Sequence, residues 1–199
     1  SPILAPGHVE PSRARHIVLI HGAWQGAWAF EAWTPLLEAR GWTVHAVDLP
    51  GNGWGPEAAN VGDATLDGYA RHVIAQLDAI DGKAVVVGHS GGGLVASHVA
   101  QLRPDLVEAL VYLAGIMLPA GRRYAEFVEE MSAELGTDLH GIAPYLHWDE
   151  TRAVSTVSVE GALRCFLQDV PHELATAAAS RLRAQPESGR AMALPHLSP

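Results

Sequence analysis

Apolar residues in the first 115 positions fall into four short unbroken runs: HIVLI at 16–20, TVHAVDL at 43–49, KAVVVG at 83–88 and EALVYLAG at 108–115. Runs of this length, rich in β-branched residues and without alternation, predict strands buried on both faces. Between them the period changes. Over 28–40, Trp33, Leu36, Leu37 and Arg40 recur at helical spacing, and Gly41 follows as a left-handed stop. Over 66–80, Leu66, Tyr69, Val73, Leu77 and Ile80 recur every three or four residues behind Thr65, an N-terminal cap. A third helix is expected from Gly91 to Leu102, stopped by Pro104. Strand and helix in alternation predict an α/β fold, a mostly parallel sheet with helices on both faces and chemistry at the carboxyl ends of its strands.

Past position 116 the pattern loosens. RYAEFVEEM and ELATAAASRLRA are helical patches among Pro, Gly and Trp, and no run there matches the first four. The expected division is an N-terminal extension over 1–15, a core over 16–116, a helical lid over 117–190 and a lid exit over 191–199. Phe127, Tyr145, Leu146, Trp148, Phe166 and Leu167 supply too much apolar surface for a disordered tail.

Composition then excludes several functions. With 199 residues, 48% apolar and 18% charged, one globular domain is expected. A formal charge of -9 opposes a nucleic-acid partner, because displacing counterions from phosphate needs a basic face. No apolar run approaches the roughly 18 residues of a membrane span, so no membrane partner is expected. The chain opens at Ser1 and its first methionine is Met117, so removal of something upstream is expected and the compartment stays open. Cys165 is alone and is expected to be a buried small hydrophobe. Eleven histidines include no H-E-x-x-H, and GNGWG at 51–55 puts Pro56 where a dinucleotide fingerprint needs its third glycine. No metal and no cofactor are expected.

The chemistry concentrates in Gly88-His89-Ser90-Gly91-Gly92, between the third run and the third helix. A strand reversing into a helix within two or three residues crowds the side chain at the turn, and flanking glycines relieve the crowding. The serine hydroxyl then projects from a strained turn, close to the backbone N–H groups that open the helix and favour developing negative charge.

HIVLIHGAWQGAWAFEAWTPLLEARGWTVHAVDLPGNG, VVVGHSGGGLVASHVA and VEALVYLAGIMLP resemble the α/β-hydrolase fold family, in particular its branch of plant methyl esterases, hydroxynitrile lyases and bacterial esterase relatives. The resemblance is strong over 16–119 and weak over the lid. It implies Ser90 as nucleophile and an oxyanion hole made by the backbone N–H groups of Ala23, in the loop His21-Gly22-Ala23, and of Gly91. His21 is expected to fix that loop, since a general base must reach Ser90 and be oriented by an acid. The expected function is a carboxylesterase acting on small apolar or aromatic esters through an acyl-enzyme. Trp24, Trp28, Phe127, Trp148 and Phe166 are candidates for the apolar pocket wall, and Arg122 and Arg123 are expected to be solvated.

Three alternatives accompany that reading. The related lyases carry threonine where this chain has Gly22, and cofactor-free dioxygenases on the fold commonly carry histidine where it has Gly91. A non-catalytic binding protein is the third, because the family places the acid and the histidine after strands beyond the lid. The chain reaches Pro199 before any such strand, and no carboxylate occurs in AGIMLPAGRR after the fourth run. None of His140, His147, His172 and His196 has the strand-to-loop context the base would need. The expectation is therefore a fragment of a longer protein or an inactive remnant. A complementary C-terminal segment or a homodimer would then cover the open sheet edge.

Overall fold

The computed structural model describes residues 15–190 and 193–196. The expected N-terminal extension up to position 14, and positions 191–192 and 197–199 of the expected lid exit, lie outside the described residues. The four apolar runs form four parallel strands, β1 (Arg15–Ile20), β2 (Trp42–Val47), β3 (Ala84–His89) and β4 (Val107–Leu113), in the order β2-β1-β3-β4. The unbroken apolarity of β1 and β3 has its cause in two covered faces. Val18, Ile20 and Val86 pack one face against Tyr69, Val73, Leu94, Val95 and Val99. Ile17, Leu19 and Val87 pack the other against Phe30 and Leu37. Each such side chain, fully buried, contributes about 1.5–3 kcal/mol.

The first face is covered by two helices. Helix expectations from 66 onward hold closely here, while the one over 28–40 does not. That stretch splits into a 3₁₀ turn, Ala27–Phe30, and a five-residue α1, Thr34–Glu38. Pro35 is the reason: it has no N–H to donate and its ring excludes a helical carbonyl four residues earlier. α2 (Leu66–Asp78) starts where expected, with the Thr65 hydroxyl accepting the Gly68 N–H at 3.0 Å. α3 spans Gly92–Leu102. Gly41 is left-handed at φ +81.

β4 departs from its expected burial. Leu110 packs toward α3 with the core, but Val111 and Leu113 are 42% and 41% exposed. They continue the face of Val87 and His89 in register, and no described residue covers that face at β4 as Phe30 and Leu37 cover it over β1.

The stretch after 116 is not all helical, contrary to expectation. It contains α4 (Tyr124–Leu135), β5 (Leu146–Trp148), β6 (Val154–Val157), α5 (Val159–Cys165), α6 (His172–Ala179), β7 (Gln185–Pro186) and α7 (Glu187–Arg190). The three strands form a small antiparallel sheet in the order β5-β6-β7. Strands of two to four residues are too short to leave a periodic signature. Cys165, expected buried, is half-buried, with its thiol donating weakly to the Gly141 carbonyl at 3.8 Å.

Candidate active site

Ser90 stands between the last residue of β3 and the first turn of α3, with its backbone left-handed at φ +51. The tightness of this turn dictates its neighbours. A Cβ on Gly88 would lie 2.5 Å from the Gly92 carbonyl oxygen, and one on Gly92 would lie 2.6 and 2.7 Å from the carbonyl oxygens of Ile20 and His21. Glycine at both positions lets the helix start touch the end of β1. The Ser90 carbonyl accepts N–H groups from Gly93 at 3.0 Å and Ile116 at 2.8 Å, which holds the turn from below. Among the described residues the Ser90 hydroxyl has no hydrogen bond.

The loop after β1 is held by a buried histidine. His21 Nδ1 lies 2.7 Å from the Gly22 carbonyl, and the Leu49 N–H donates to Nε2 at 3.1 Å. A backbone N–H needs an acceptor, so Nε2 carries no proton and Nδ1 donates to Gly22. The Gly22 carbonyl and the Ala23 N–H belong to one trans peptide plane and point in opposite directions. Fixing the carbonyl therefore fixes the aim of the Ala23 N–H. Gln25 secures the neighbouring peptide: its Oε1 accepts the Gly22 N–H at 3.2 Å and the His89 Nδ1 proton at 3.0 Å.

Burial pushes the His21 imidazole down to about 4, and burial also lowers that of His89. The linkage for His21 has a definite sign. The unfolded chain takes up this proton near 6.5 and the folded chain near 4, so the stability it confers is complete above pH 6.5. It is lost as pH falls through that window, by about 3 kcal/mol in all. Urea titrations at pH 7 and pH 4 should show His21→Asn losing about that much less stability than wild type. Equal acid losses in the two proteins would contradict the assignment.

Trp24 follows Ala23 and is also left-handed, at φ +64. Its N–H donates to Gln185 Oε1 at 3.2 Å, its carbonyl accepts the Arg183 N–H at 2.9 Å, and its indole N–H donates to Ser155 Oγ at 2.9 Å. A seam of alternating arginines and indoles runs along the same boundary. Arg181 pairs with Glu31 and lies 4.7 Å over Trp28, Arg183 lies 4.1 Å over Trp54, and Arg190 lies 5.3 Å over Trp24 and 5.6 Å over Trp148. Arg181 holds the Glu31 carboxyl below the usual carboxylate range.

A cavity of about 810 Å³ opens over Ser90, and Ala23 and Gly91 line it beside the serine. Trp24, Trp148 and Phe166 form part of its wall, with the Trp24 and Phe166 rings stacked 6.2 Å apart. Trp28 and Phe127 do not line it. Trp28 is turned into the seam under Arg181. On α4 the cavity face carries Tyr124, Ala125 and Val128, and one residue of helical rotation takes Phe127 off that face. Arg122 pairs with Glu130 on the surface. His140 reaches the wall but is exposed and bonded at 2.6 Å to Asp138, its neighbour by two positions. His147, His172 and His196 are absent from the wall.

Sequence reasoning missed Gln25, Ser155 and Gln185. All three are polar side chains in irregular or very short elements, where burial has no periodic signal. Among the described residues no cluster of three or more His, Cys, Asp or Glu could hold a metal ion.

The sequence and the fold have known relatives. The profile of the alpha/beta hydrolase family matches residues 17–198. A pyrethroid hydrolase of Sphingobium wenxiniae is 32% identical over 192 residues, covering 91% of this chain and 68% of that protein. Methylesterase 2 of Arabidopsis thaliana is 35% identical over 126 residues, covering 62% of this chain and 48% of that protein. Among solved structures, a pyrethroid hydrolase from Sphingobium faniae superposes with a TM-score of 0.79 at 27% identity, over 92% of this chain and 73% of that one. With its parallel sheet, its flanking helices and a family match over nearly its whole length, this chain belongs to the alpha/beta hydrolase family.

Proposed function

We propose that this chain carries the nucleophile and the oxyanion-binding groups of a serine carboxylesterase acting on small apolar or aromatic esters. One observation carries the proposal: Ser90 projects from a left-handed turn into a cavity that it shares with Ala23 and Gly91. Ser90 Oγ attacks the ester carbonyl, and the oxyanion is met by the Ala23 and Gly91 N–H groups. A histidine oriented by an acid takes the serine proton and passes it to the leaving alcohol, and water then releases the acyl group. Losing one preorganised donor of this kind costs about 100- to 1000-fold in rate. The names of the relatives, a pyrethroid hydrolase and a methylesterase, support ester cleavage as the reaction class.

Gly22 weighs against a cyanohydrin lyase. It offers no hydroxyl, and a Cβ there would lie 2.9 Å from the Ser90 Cβ. The residues from 117 to 190 act in this reading as a lid, whose Trp148 and Phe166 receive the apolar part of the ester. Phe166→Ala is expected to raise KM for an aromatic ester about three- to tenfold with kcat little changed, the loss of one aromatic contact. Steady-state kinetics on phenyl and ethyl acetates would check it, and an unchanged ratio of their KM values would remove Phe166 from the pocket.

The proposal is tested by intact mass spectrometry of the full-length protein before and after a fluorophosphonate probe. A single adduct mapped to Ser90 is the expected result. A protein that takes up no probe, or takes it up elsewhere, would overturn the assignment.

A further inference from the structure

The left-handed backbone of Trp24 costs a residue with a side chain about 1–2 kcal/mol and persists only where its surroundings hold it. Its three anchoring bonds come from β6, β7 and the residues just before β7, the partner of its N–H lying 161 positions further along the chain. Gln185 is 3% exposed, and its orientation is not free. Its Nε2 donates to the Pro186 carbonyl at 2.9 Å and to the Tyr69 hydroxyl at 3.1 Å, which leaves Oε1 as the end that faces the Trp24 N–H. The Tyr69 hydroxyl also accepts from Asn52 Nδ2 at 3.0 Å, so the amide is backed by a second buried group. Ser155 is backed in the same way, donating to the Glu187 carboxylate that Arg190 grips at 2.8 Å.

We propose that Gln185 is a positioning residue for the oxyanion-binding loop. The inference rests on the reading of Ser90 and Ala23 given under Proposed function. Two successive peptide planes meet at the Ala23 Cα. His21 holds the first by the Gly22 carbonyl, and Gln185 holds the second by the Trp24 N–H. With both held, the φ and ψ of Ala23 are set, and the N–H aimed by the Gly22 carbonyl bond sits in a loop fixed on both sides. Without Gln185, the Trp24 N–H is left buried and unpaired, a penalty of the same order as the left-handed strain. Relaxation of the Trp24 backbone out of the left-handed region relieves both at once, and the Ala23 peptide is then left with the His21 bond as its one hold. Seating of β7 and completion of the oxyanion hole are then one event, so an ester turns over only when the residues around β7 are in place.

The test is the rate at which a fluorophosphonate labels Ser90 in the full-length protein. Wild type is compared with Gln185→Leu and Ser188→Ala, with melting temperatures measured in parallel. Leucine keeps the volume but offers Trp24 no acceptor, and labelling should slow about 10- to 100-fold, part of the loss of one oxyanion donor. Ser188→Ala removes the bond from its hydroxyl to the Ala64 carbonyl at 2.8 Å beside β7 yet leaves the Trp24 N–H bonded, so its rate should stay within about threefold of wild type even where its melting temperature falls. Leucine labelling as fast as wild type would overturn the proposal, and so would equal slowing in the two variants, which would mark a structural effect alone. No label on wild-type Ser90 would instead defeat the reading of the site, and this proposal with it.

Discussion

Ser90→Ala is expected to lower kcat/KM for ester hydrolysis by about 10⁴- to 10⁶-fold, the loss seen when an acyl-transfer nucleophile is removed. The fold should not notice. The Ser90 hydroxyl makes no hydrogen bond among the described residues, and its backbone bonds to Gly93 and Ile116 do not depend on the side chain. Alanine also has a Cβ, so the left-handed φ of +51 strains both residues alike. Stability by urea titration should therefore stay within about 0.5 kcal/mol of wild type. The pair of measurements separates chemistry from scaffold. A variant keeping a tenth of the activity would mean that another group performs the attack.

Gly92→Ala should have the opposite signature, with the scaffold failing first. Its Cβ would sit 2.6 Å from the Ile20 carbonyl oxygen and 2.7 Å from that of His21. Both are main-chain atoms at the end of β1, and neither can swing aside as a side chain can. α3 must back away from the strand, at a cost of about 3 kcal/mol, the upper range for overpacking. The same displacement parts the Gly91 N–H from the Ala23 N–H, so activity at temperatures where the variant is still folded should fall about 100-fold. Gly91→Ala is the internal contrast. Nothing lies within 4 Å of a Cβ there, its φ is -57, and its N–H remains. That neighbour should match wild type in stability within about 0.5 kcal/mol. Equal stabilities for the two variants would refute the packing account.

The legible parts of the molecule are those whose burial repeats. HIVLI and KAVVVG name their strands because their apolar residues are buried or half-buried whichever face they point to, and Thr65 marks its helix because a capping hydroxyl has a fixed position relative to the first turn. The tight turn at Ser90 was legible because it demands glycine on either side, a demand written in one pentapeptide. Pro35 could have been used the same way and would have broken the helix expected over 28–40 at the right place. Trp28 and Phe127 were placed in the pocket for their size. Size says nothing about rotation around a helix or about a guanidinium waiting above the ring. Gln185 was beyond reach for another reason: a buried glutamine is recognisable by its partners, and Trp24, Tyr69 and Pro186 become neighbours only once the chain has folded.

Six tryptophans are present, and four of them, Trp24, Trp28, Trp54 and Trp148, lie under arginines along the seam. Indole emission depends on water contact and on nearby charge, so these four rings form a built-in optical gauge. Withdrawal of Arg181, Arg183 and Arg190 would expose Trp24, now 5% accessible, and shift emission toward longer wavelengths without any added dye. The spectrum of the unmodified protein would then report whether the boundary is shut.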